Sequence, residues 1–303
     1  MIVEMRKKGR QKRGAKSGGA AAFISLLAAF LAAAVFAVAQ QEPETVIDAA
    51  PSFQYTLTDR FTVPWSGDKS LRVSEGEGQI FVRASSAEAV TFRAAKTAFA
   101  PDLAKAREFA SRIKVFAQAP ADSIVATSSV PSSAGLVASG RVDYDILAPS
   151  AISVDLATTS GAIDVSGLEG DAKVKTDSGK ILLANIKGAA LASSTSGNID
   201  IKDCPKISLI RNGSGEVSFQ ASGMENDLDI ETDSGDIKVK LKRSLKARIV
   251  ANTVSGAVDT ADAYLKKVSE ADSELTFETP GAGASVRLIY ITTVSGDIII
   301  SAD

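Results

Sequence analysis

The sequence contains no histidine and only one cysteine, Cys204. Without histidine the chain cannot use an imidazole general base, a Ser-His or Cys-His nucleophilic pair, or the common zinc ligand sets. A single cysteine also excludes a disulfide within the chain. These absences remove many familiar catalytic and metal-binding motifs, so the organisation of the remaining residues must indicate what the protein does.

The first 39 residues have the layout of an export signal. Seven lysine and arginine residues lie within 6–16, and an uncharged apolar run at 20–39 ends in Ala-Val-Ala before Gln40. Basic, apolar and small residues in this order predict a secretory signal peptide. A run of about 20 residues is also long enough to cross a bilayer as an uncleaved anchor helix, and this interpretation stays open. Either one predicts export to the periplasm, the outer surface or the outer side of a membrane.

Removal of residues 1–39 leaves an acidic chain. The net charge becomes −8, because seven basic residues and one acid, Glu4, are lost from a chain of net charge −2. A mildly acidic surface favours solubility and gives no reason to expect a nucleic-acid partner. Residues 40–52, QQEPETVIDAAPS, are typical of a short polar linker.

A phrase centred on Ser-Gly recurs along the second half of the chain. The pairs begin at residues 160, 178, 196, 214, 234, 255 and 295, at spacings of 18, 18, 18, 20, 21 and 40. Apolar residues two apart predict a strand with one buried face. The residues two positions after each glycine are Ile163, Ile181, Ile199, Val217, Ile237, Val258 and Ile298.

A period of about 18–21 residues is typical of one coil of a β-solenoid. The sequence therefore predicts an all-β, single-stranded β-solenoid (β-helix) over residues 151–303, with the N-terminal signal or anchor helix as a separate segment. Equivalent aliphatic residues should stack at the strand spacing of roughly 4.8 Å. Each glycine is expected at a corner with positive φ, where a β-carbon is disfavoured.

Two features of the repeat have both a structural and a functional interpretation. Short polar residues stand two positions before each serine, and we expect them to hydrogen-bond along the stack rather than to form a ligand-binding stripe. Cys204 occupies the position of Leu168 and Ile186 in the two preceding units, which indicates a small buried side chain rather than a reactive thiol. The polar residues are Thr158, Thr176, Ser194, Asn212, Thr232, Thr253 and Thr293.

Residues 53–150 are less regular and are expected to cover one end of the solenoid, whose strand edges would otherwise be exposed. Residues 71–85 contain Gly-X-Ile-X-Val and indicate an outlying coil. Residues 101–113 predict a short helix with Pro101 at its first position, because four apolar residues share one face.

The carboxyl end lacks an obvious cap. Residues 262–282 lose the phrase, and DAYLKKVSEAD indicates a helical excursion, after which the chain stops at DIIISAD. We expect either that the excursion covers the C-terminal strand or that a strand of a second copy pairs with it, which would give end-to-end self-association.

Residues 141–188, RVDYDILAPSAISVDLATTSGAIDVSGLEGDAKVKTDSGKILLANIKG, resemble the bacterial putative-adhesin family of β-strand repeats, formerly a domain of unknown function. The similarity extends over about 71–301. The resemblance implies an exported or membrane-attached β-helical protein with a role in adhesion. It implies no catalytic residues.

Polysaccharide lyases and hydrolases with a solenoid fold use clustered carboxylates, which here would have to lie on neighbouring coils. The best candidate is a diagonal pair, Asp200 with Glu216, which we interpret as solvated surface charge. The sequence assigns no catalytic, cofactor-binding or metal-binding residue.

The leading hypothesis is a non-enzymatic exported envelope or surface protein that acts as a spacer or binds an unknown glycan or protein ligand. Two alternatives stay open. One is a carbohydrate-active β-helix enzyme, and the other is a regulatory or envelope-stress module attached to the membrane through residues 20–39.

Overall fold

The structure, a computed structural model, describes residues 40–41, 45–49, 52–132, 138–260, 263–271, 274–283 and 286–303. The predicted signal or anchor segment at 1–39 lies outside these residues. Within the described ranges, no helix combines the length and the apolar character needed to cross a membrane.

The described residues form strands throughout, with one helix. The N-terminal part contains β1 (Gln40–Gln41), β2 (Thr45–Ala49), β3 (Ser52–Pro64), β4 (Ser70–Glu77), β5 (Ile80–Ser85), β6 (Ala89–Ala100), α1 (Leu103–Arg112), β7 (Lys114–Gln118), β8 (Ser123–Ser129) and β9 (Ser139–Pro149). The repeat region contains β10 (Val154–Ser160), β11 (Ile163–Ser166), β12 (Ala172–Ser178), β13 (Ile181–Ala184), β14 (Ala190–Ser196), β15 (Ile199–Lys202), β16 (Ile207–Ser214), β17 (Val217–Ala221), β18 (Leu228–Ser234), β19 (Ile237–Leu241), β20 (Ala247–Ser255), β21 (Val258–Thr260), β22 (Lys266–Ala271), β23 (Glu274–Glu278), β24 (Arg287–Ser295) and β25 (Ile298–Ala302). The predicted all-β class is confirmed.

The strands form two sheets that face each other across the core. Sheet A has the order β1-β3-β6-β9-β5-β11-β13-β15-β17-β19-β25-β21, with β2 also paired to β3, and sheet B has the order β22-β23-β20-β24-β18-β16-β14-β12-β10-β4-β8-β7. We call one strand of sheet B, the glycine corner and the following strand of sheet A a rung. In spatial order the rungs are β4–β5, β10–β11, β12–β13, β14–β15, β16–β17, β18–β19, β24–β25 and β20–β21.

The predicted columns of aliphatic residues fill the space between the sheets. Ile163 is in register with Ile181, and Ile181 with Ile199, through parallel strand pairs. All three side chains are fully buried. Because each additional rung places its aliphatic residues on those of the previous rung, the stack excludes water from its interior along its length.

The corner glycines are required by close contact between rungs. A β-carbon on Gly179 would lie 2.1 Å from the carbonyl oxygen of Gly161, and one on Gly197 would lie 2.1 Å from that of Gly179. Gly179 also has a φ of 155°, which L-residues rarely adopt. The predicted position of glycine at the corner is confirmed, and the stacked backbone explains it.

The order of the last rungs differs from the order of the chain. Strand β24 lies between β18 and β20, and β25 lies between β19 and β21. The C-terminal rung, β24–β25, therefore lies between β18–β19 and β20–β21, although β20–β21 comes earlier in the sequence. The C-terminal strand needs neither of the two expected covers, because Ile298–Ile300 have strand partners on both sides within the chain. Self-association between copies stays a prediction, and it would have to use another edge.

The predicted helical excursion at 262–282 is also wrong. Its described residues form the hairpin β22–β23, which pairs antiparallel with β20 at the end of sheet B. Phe277 is 5% exposed and packs into the core. The hairpin pairs with the backbone edge of β20, which a helix at this place would leave unpaired.

The opposite end combines a regular rung with antiparallel strands and a helix. Strands β4 and β5 form the predicted outlying coil and stack on β10 and β11. Beyond it, β9, β6 and β3 continue sheet A, and α1 contacts their inner side. The helix begins at Leu103 because Asp102 caps it by accepting a hydrogen bond from the amide of Lys105 (2.8 Å), so Pro101 precedes the cap rather than starting the helix.

We predict that Gly179→Val destabilises the protein by about 3 kcal/mol, because the new side chain overlaps the backbone of Gly161 and disfavours the native φ. The control Lys180→Val changes an exposed neighbour and should cost at most about 1 kcal/mol. Urea denaturation of both variants measures the difference. Equal midpoints would contradict the close approach of rungs at this corner.

Candidate functional site

A concave groove lies on the outer face of sheet A, where the first rung meets the antiparallel strands. Its volume is about 410 Å³, which is within the range of small-ligand sites. The groove is lined by Phe81, Arg83, Arg93, Ala95, Asp143, Tyr144, Asp145 and Asp164. We call it the outer groove.

Strand register brings these side chains together. Arg93 on β6 is opposite Asp145 on β9, which is opposite Phe81 on β5, which is opposite Asp164 on β11. Side chains directly opposite one another on neighbouring strands lie close together on the same face of a sheet. The four residues therefore form one row across four strands, although they are widely separated in sequence.

Ion pairs hold the charged groups of the outer groove. The guanidinium of Arg83 lies 2.6 Å from a carboxylate oxygen of Asp145, and Arg141 lies 3.1 Å from Asp143. Asp143 also accepts a hydrogen bond from the amide of Gln79 (2.8 Å). Both ion pairs are partly exposed to solvent, so they orient the side chains on the face of the sheet without burying the charges.

Asp164 differs from the other carboxylates of the groove. Burial raises the pKa of its carboxyl group above the usual range, although the nearby cations Arg83 and Lys180 favour the charged form. Burial disfavours a charge because the surrounding protein replaces water. The side chain is half-buried, so a ligand in the groove could still reach it.

A second polar cluster lies inside the protein, between the sheets. Glu75 on β4 is 7% exposed and accepts a hydrogen bond from the hydroxyl of Ser128 (2.7 Å). Its other carboxylate oxygen, Oε1, and the buried hydroxyl of Tyr144 have no hydrogen-bond partner. Burial raises the pKa of the Glu75 carboxyl group, and the hydrogen bond from Ser128 lowers it by a smaller amount. Glu75 stands in register with Thr158, so a carboxyl group replaces the short polar side chain of the other rungs.

A buried ion pair lies near this cluster at the same end. Lys96 and Asp59 face the interior with their charged atoms 2.7 Å apart, and their side chains are 7% and 15% exposed. They line a cleft of about 400 Å³ between the inner face of sheet A and the end of α1. The remaining lining residues are Leu57, Ser111, Ile113, Lys114 and Val115.

The predicted column of short polar residues is part of the interior. Four of its members donate hydrogen bonds to glycine carbonyl oxygens at the corners, as expected for a structural role. Ser194, Thr232 and Thr293 are buried without such a bond. The four bonds run from Thr158 to Gly78 (3.3 Å), from Thr176 to Gly161 (3.4 Å), from Asn212 to Gly197 (3.0 Å) and from Thr253 to Gly296 (3.2 Å).

The candidate carboxylates Asp200 and Glu216 are exposed and paired with lysines. Lys180 lies 3.4 Å from Asp200, and Lys238 lies 2.5 Å from Glu216. Such pairs at the surface are typical of solvated charge. Among the described residues, no cluster of three or more cysteine and carboxylate side chains could hold a metal ion.

On three successive rungs the residue directly after the corner glycine is acidic. These residues are Glu216, Asp236 and Asp297. Asp236 accepts a hydrogen bond from the amide of Asp297 (3.0 Å), and Asp297 accepts one from the amide of Ala257 (2.8 Å). The two aspartates therefore satisfy backbone amides of the next rung, which is a structural role.

Cys204 is fully buried, as its place in the repeat predicts. Burial raises the pKa of its thiol to about 11. A thiol that stays protonated near neutral pH is a weak nucleophile, so the structure supports the packing role.

Sequence reasoning missed the outer groove because half of its row comes from β6 and β9, an antiparallel pair that lies outside the series of rungs. Only the pairing of strands brings Arg93 and Asp145 beside Phe81. The sequence did contain a signal for Glu75. Glu77-Gly78 takes the place of Ser-Gly in this rung, and Glu75 stands two residues before Glu77, where the other rungs have a short polar residue.

Comparison with known proteins gives one family match and remote structural similarity. The sequence profile of the Toastrack DUF4097 family matches residues 128–301. No curated protein matches the chain. Two similar crystal structures are a putative cell adhesion protein from Clostridium sporogenes ATCC 15579 (12% identity, 88% of this chain and 100% of that chain, TM-score 0.34) and a putative adhesin from Bacteroides fragilis NCTC 9343 (10% identity, 82% and 97%, TM-score 0.40).

We predict that Glu75→Gln becomes increasingly stabilising as pH rises. A carboxyl group whose pKa is raised by folding stabilises the fold fully below its unfolded pKa of about 4.5, and this contribution is lost as pH rises through the folded value. The amide cannot ionise and escapes this loss.

Urea denaturation of Glu75→Gln and the wild type between pH 4 and pH 8 measures the difference in the free energy of unfolding. Glu77→Gln, on the exposed end of the same strand, controls for the loss of one carboxyl group. A difference that stays constant or falls with pH would contradict the burial of Glu75.

Proposed function

The chain belongs to the Toastrack DUF4097 family, in line with the resemblance of its repeats to putative adhesins, and from this we propose that it is an exported, non-enzymatic surface protein that binds a ligand outside the cell. The observation that carries the proposal is the outer groove, which places charged and aromatic side chains on the face of a rigid stack.

The stack suits a protein that must present a surface at a distance. Eight rungs at the usual strand spacing give a body roughly 35 Å long. Its interior is filled by aliphatic columns, and four of the seven residues of the polar column are hydrogen-bonded to the backbone. Binding chemistry is therefore expected on the outer faces, where exposed side chains alternate with buried ones along each strand.

Export is supported by the amino-terminal sequence. The basic residues at 6–16 and the apolar run at 20–39 are typical of a secretory signal or a membrane anchor. We propose that the rest of the chain faces the periplasm or the outer surface, either released or held by the apolar run.

We predict that the full chain, expressed in a bacterial host and fractionated, is recovered in the envelope, periplasm or medium. The matched control carries Leu26→Arg and Leu27→Arg, which interrupt the apolar run and should retain the protein in the cytosol. An amino terminus at Gln40 indicates cleavage, and an intact amino terminus in the membrane fraction indicates an anchor. Recovery of the wild-type chain in the cytosol would contradict export.

The exported chain is then applied to arrays of glycans and extracellular proteins, with saturable binding expected. Incubation of the chain with the glycans of the array tests for catalysis. Turnover that is abolished by Asp200→Asn or Glu216→Gln would overturn the non-enzymatic proposal.

A further inference from the structure

The charges of the outer groove are largely neutralised within the protein. Arg83 is paired with Asp145 and Arg141 with Asp143, at 2.6 Å and 3.1 Å. A strongly charged ligand would have to compete with one of these pairs for its partner. A neutral ligand with hydroxyl groups would not, because carboxylates accept and guanidinium groups donate hydrogen bonds without separating.

An aromatic ring lies between the polar groups. Phe81 is in the middle of the row, with Asp145 on one neighbouring strand and Asp164 on the other. Its side chain is half-buried and lines the groove, so part of its apolar ring is accessible there. In the next row of the groove, the small residue Ala95 lies opposite Asp143.

An apolar ring surface flanked by hydrogen-bonding groups matches the two faces of a sugar ring. The C–H groups of a pyranose form an apolar patch that can contact an aromatic ring, and its hydroxyl groups both donate and accept hydrogen bonds. The groove volume of about 410 Å³ is enough for a short saccharide segment rather than a protein domain.

We propose that the outer groove binds a neutral glycan, with a sugar ring against Phe81 and its hydroxyl groups bonded to Arg83, Asp145 and Asp164. The inference rests on the proposed surface-binding function and names its ligand class. Asp164 accepts from a hydroxyl group, while Arg83 donates to the same sugar and keeps its contact with Asp145.

The position of the groove favours a glycan over an added β-strand. Strand addition requires an unpaired backbone edge. The groove lies on the face of sheet A, and its strands β9 and β5 each have partners on both sides. Recognition must therefore depend on side chains, which is how a polyhydroxylated ligand would be read.

The test applies the exported full chain to an array that contains neutral, acidic and amino glycans together with extracellular proteins. For a neutral glycan that binds, Phe81→Ala should reduce affinity at least about tenfold, which corresponds to about 1.4 kcal/mol. Asp164→Asn keeps the shape of the side chain and should also weaken binding. Phe116→Ala removes an exposed aromatic ring from sheet B and should leave binding unchanged.

Thermal unfolding of each variant separates a loss of binding from a loss of fold, and Asp164→Asn serves as the test if Phe81→Ala does not fold. Neutral-glycan binding that survives both groove variants would overturn the proposal. Binding only to proteins or charged glycans would overturn the ligand class and leave the surface-binding function standing. Absence of any ligand would count against the proposed function itself.

Discussion

The structure depends on how closely the backbones of successive rungs approach at the Ser-Gly corner. A β-carbon at Gly161, Gly179 or Gly197 would overlap the carbonyl oxygen of the previous corner. This contact fixes the register of every rung relative to the next, because a slip of one residue would place a side chain where only glycine fits. The aliphatic columns and the hydrogen bonds of the polar column follow from that register.

The repeated phrase made the strands, the corners and the buried columns predictable from the sequence. Each of these features is local, since the residues two positions apart and the glycine before them define a rung by themselves. Ile181 and Cys204 were predicted to be buried on this basis alone, and both are. The outlying rung at 70–85 was also visible, because Gly78 and Ile80 keep the spacing of the phrase.

The order of the rungs and the groove could not be predicted in this way. All rungs carry nearly the same phrase, so the sequence does not show that β24 and β25 enter the stack before β20 and β21. The stretch at 262–282 reads as helix or strand by local pattern, and only its pairing with β20 decides for a hairpin. The groove requires Arg93 and Asp145, which lie on the antiparallel pair β6 and β9 outside the series of rungs.

The candidate site lies where the regular repeat stops. Within the stack, outer positions are occupied by exposed residues that differ from rung to rung, whereas at the first rung sheet A continues with strands that run in the opposite direction. That junction brings Phe81 beside two carboxylates and a guanidinium group in a concave space. The interior at the same end holds the polar residues Glu75 and Lys96, so both the outer and the inner faces depart there from the pattern of the repeat.

Disulfide cross-linking tests the rung order most directly. Thr292 is in register with Glu231 on one side and with Asn252 on the other. Neighbouring strands are close enough for a disulfide, whereas strands two apart are not. The double variant Glu231→Cys/Thr292→Cys should therefore cross-link readily, and Glu231→Cys/Asn252→Cys should not, with Cys204 left in place because it is buried. Cross-linking between 231 and 252, with none between 231 and 292, would show that the rungs stack in chain order and would contradict this structure.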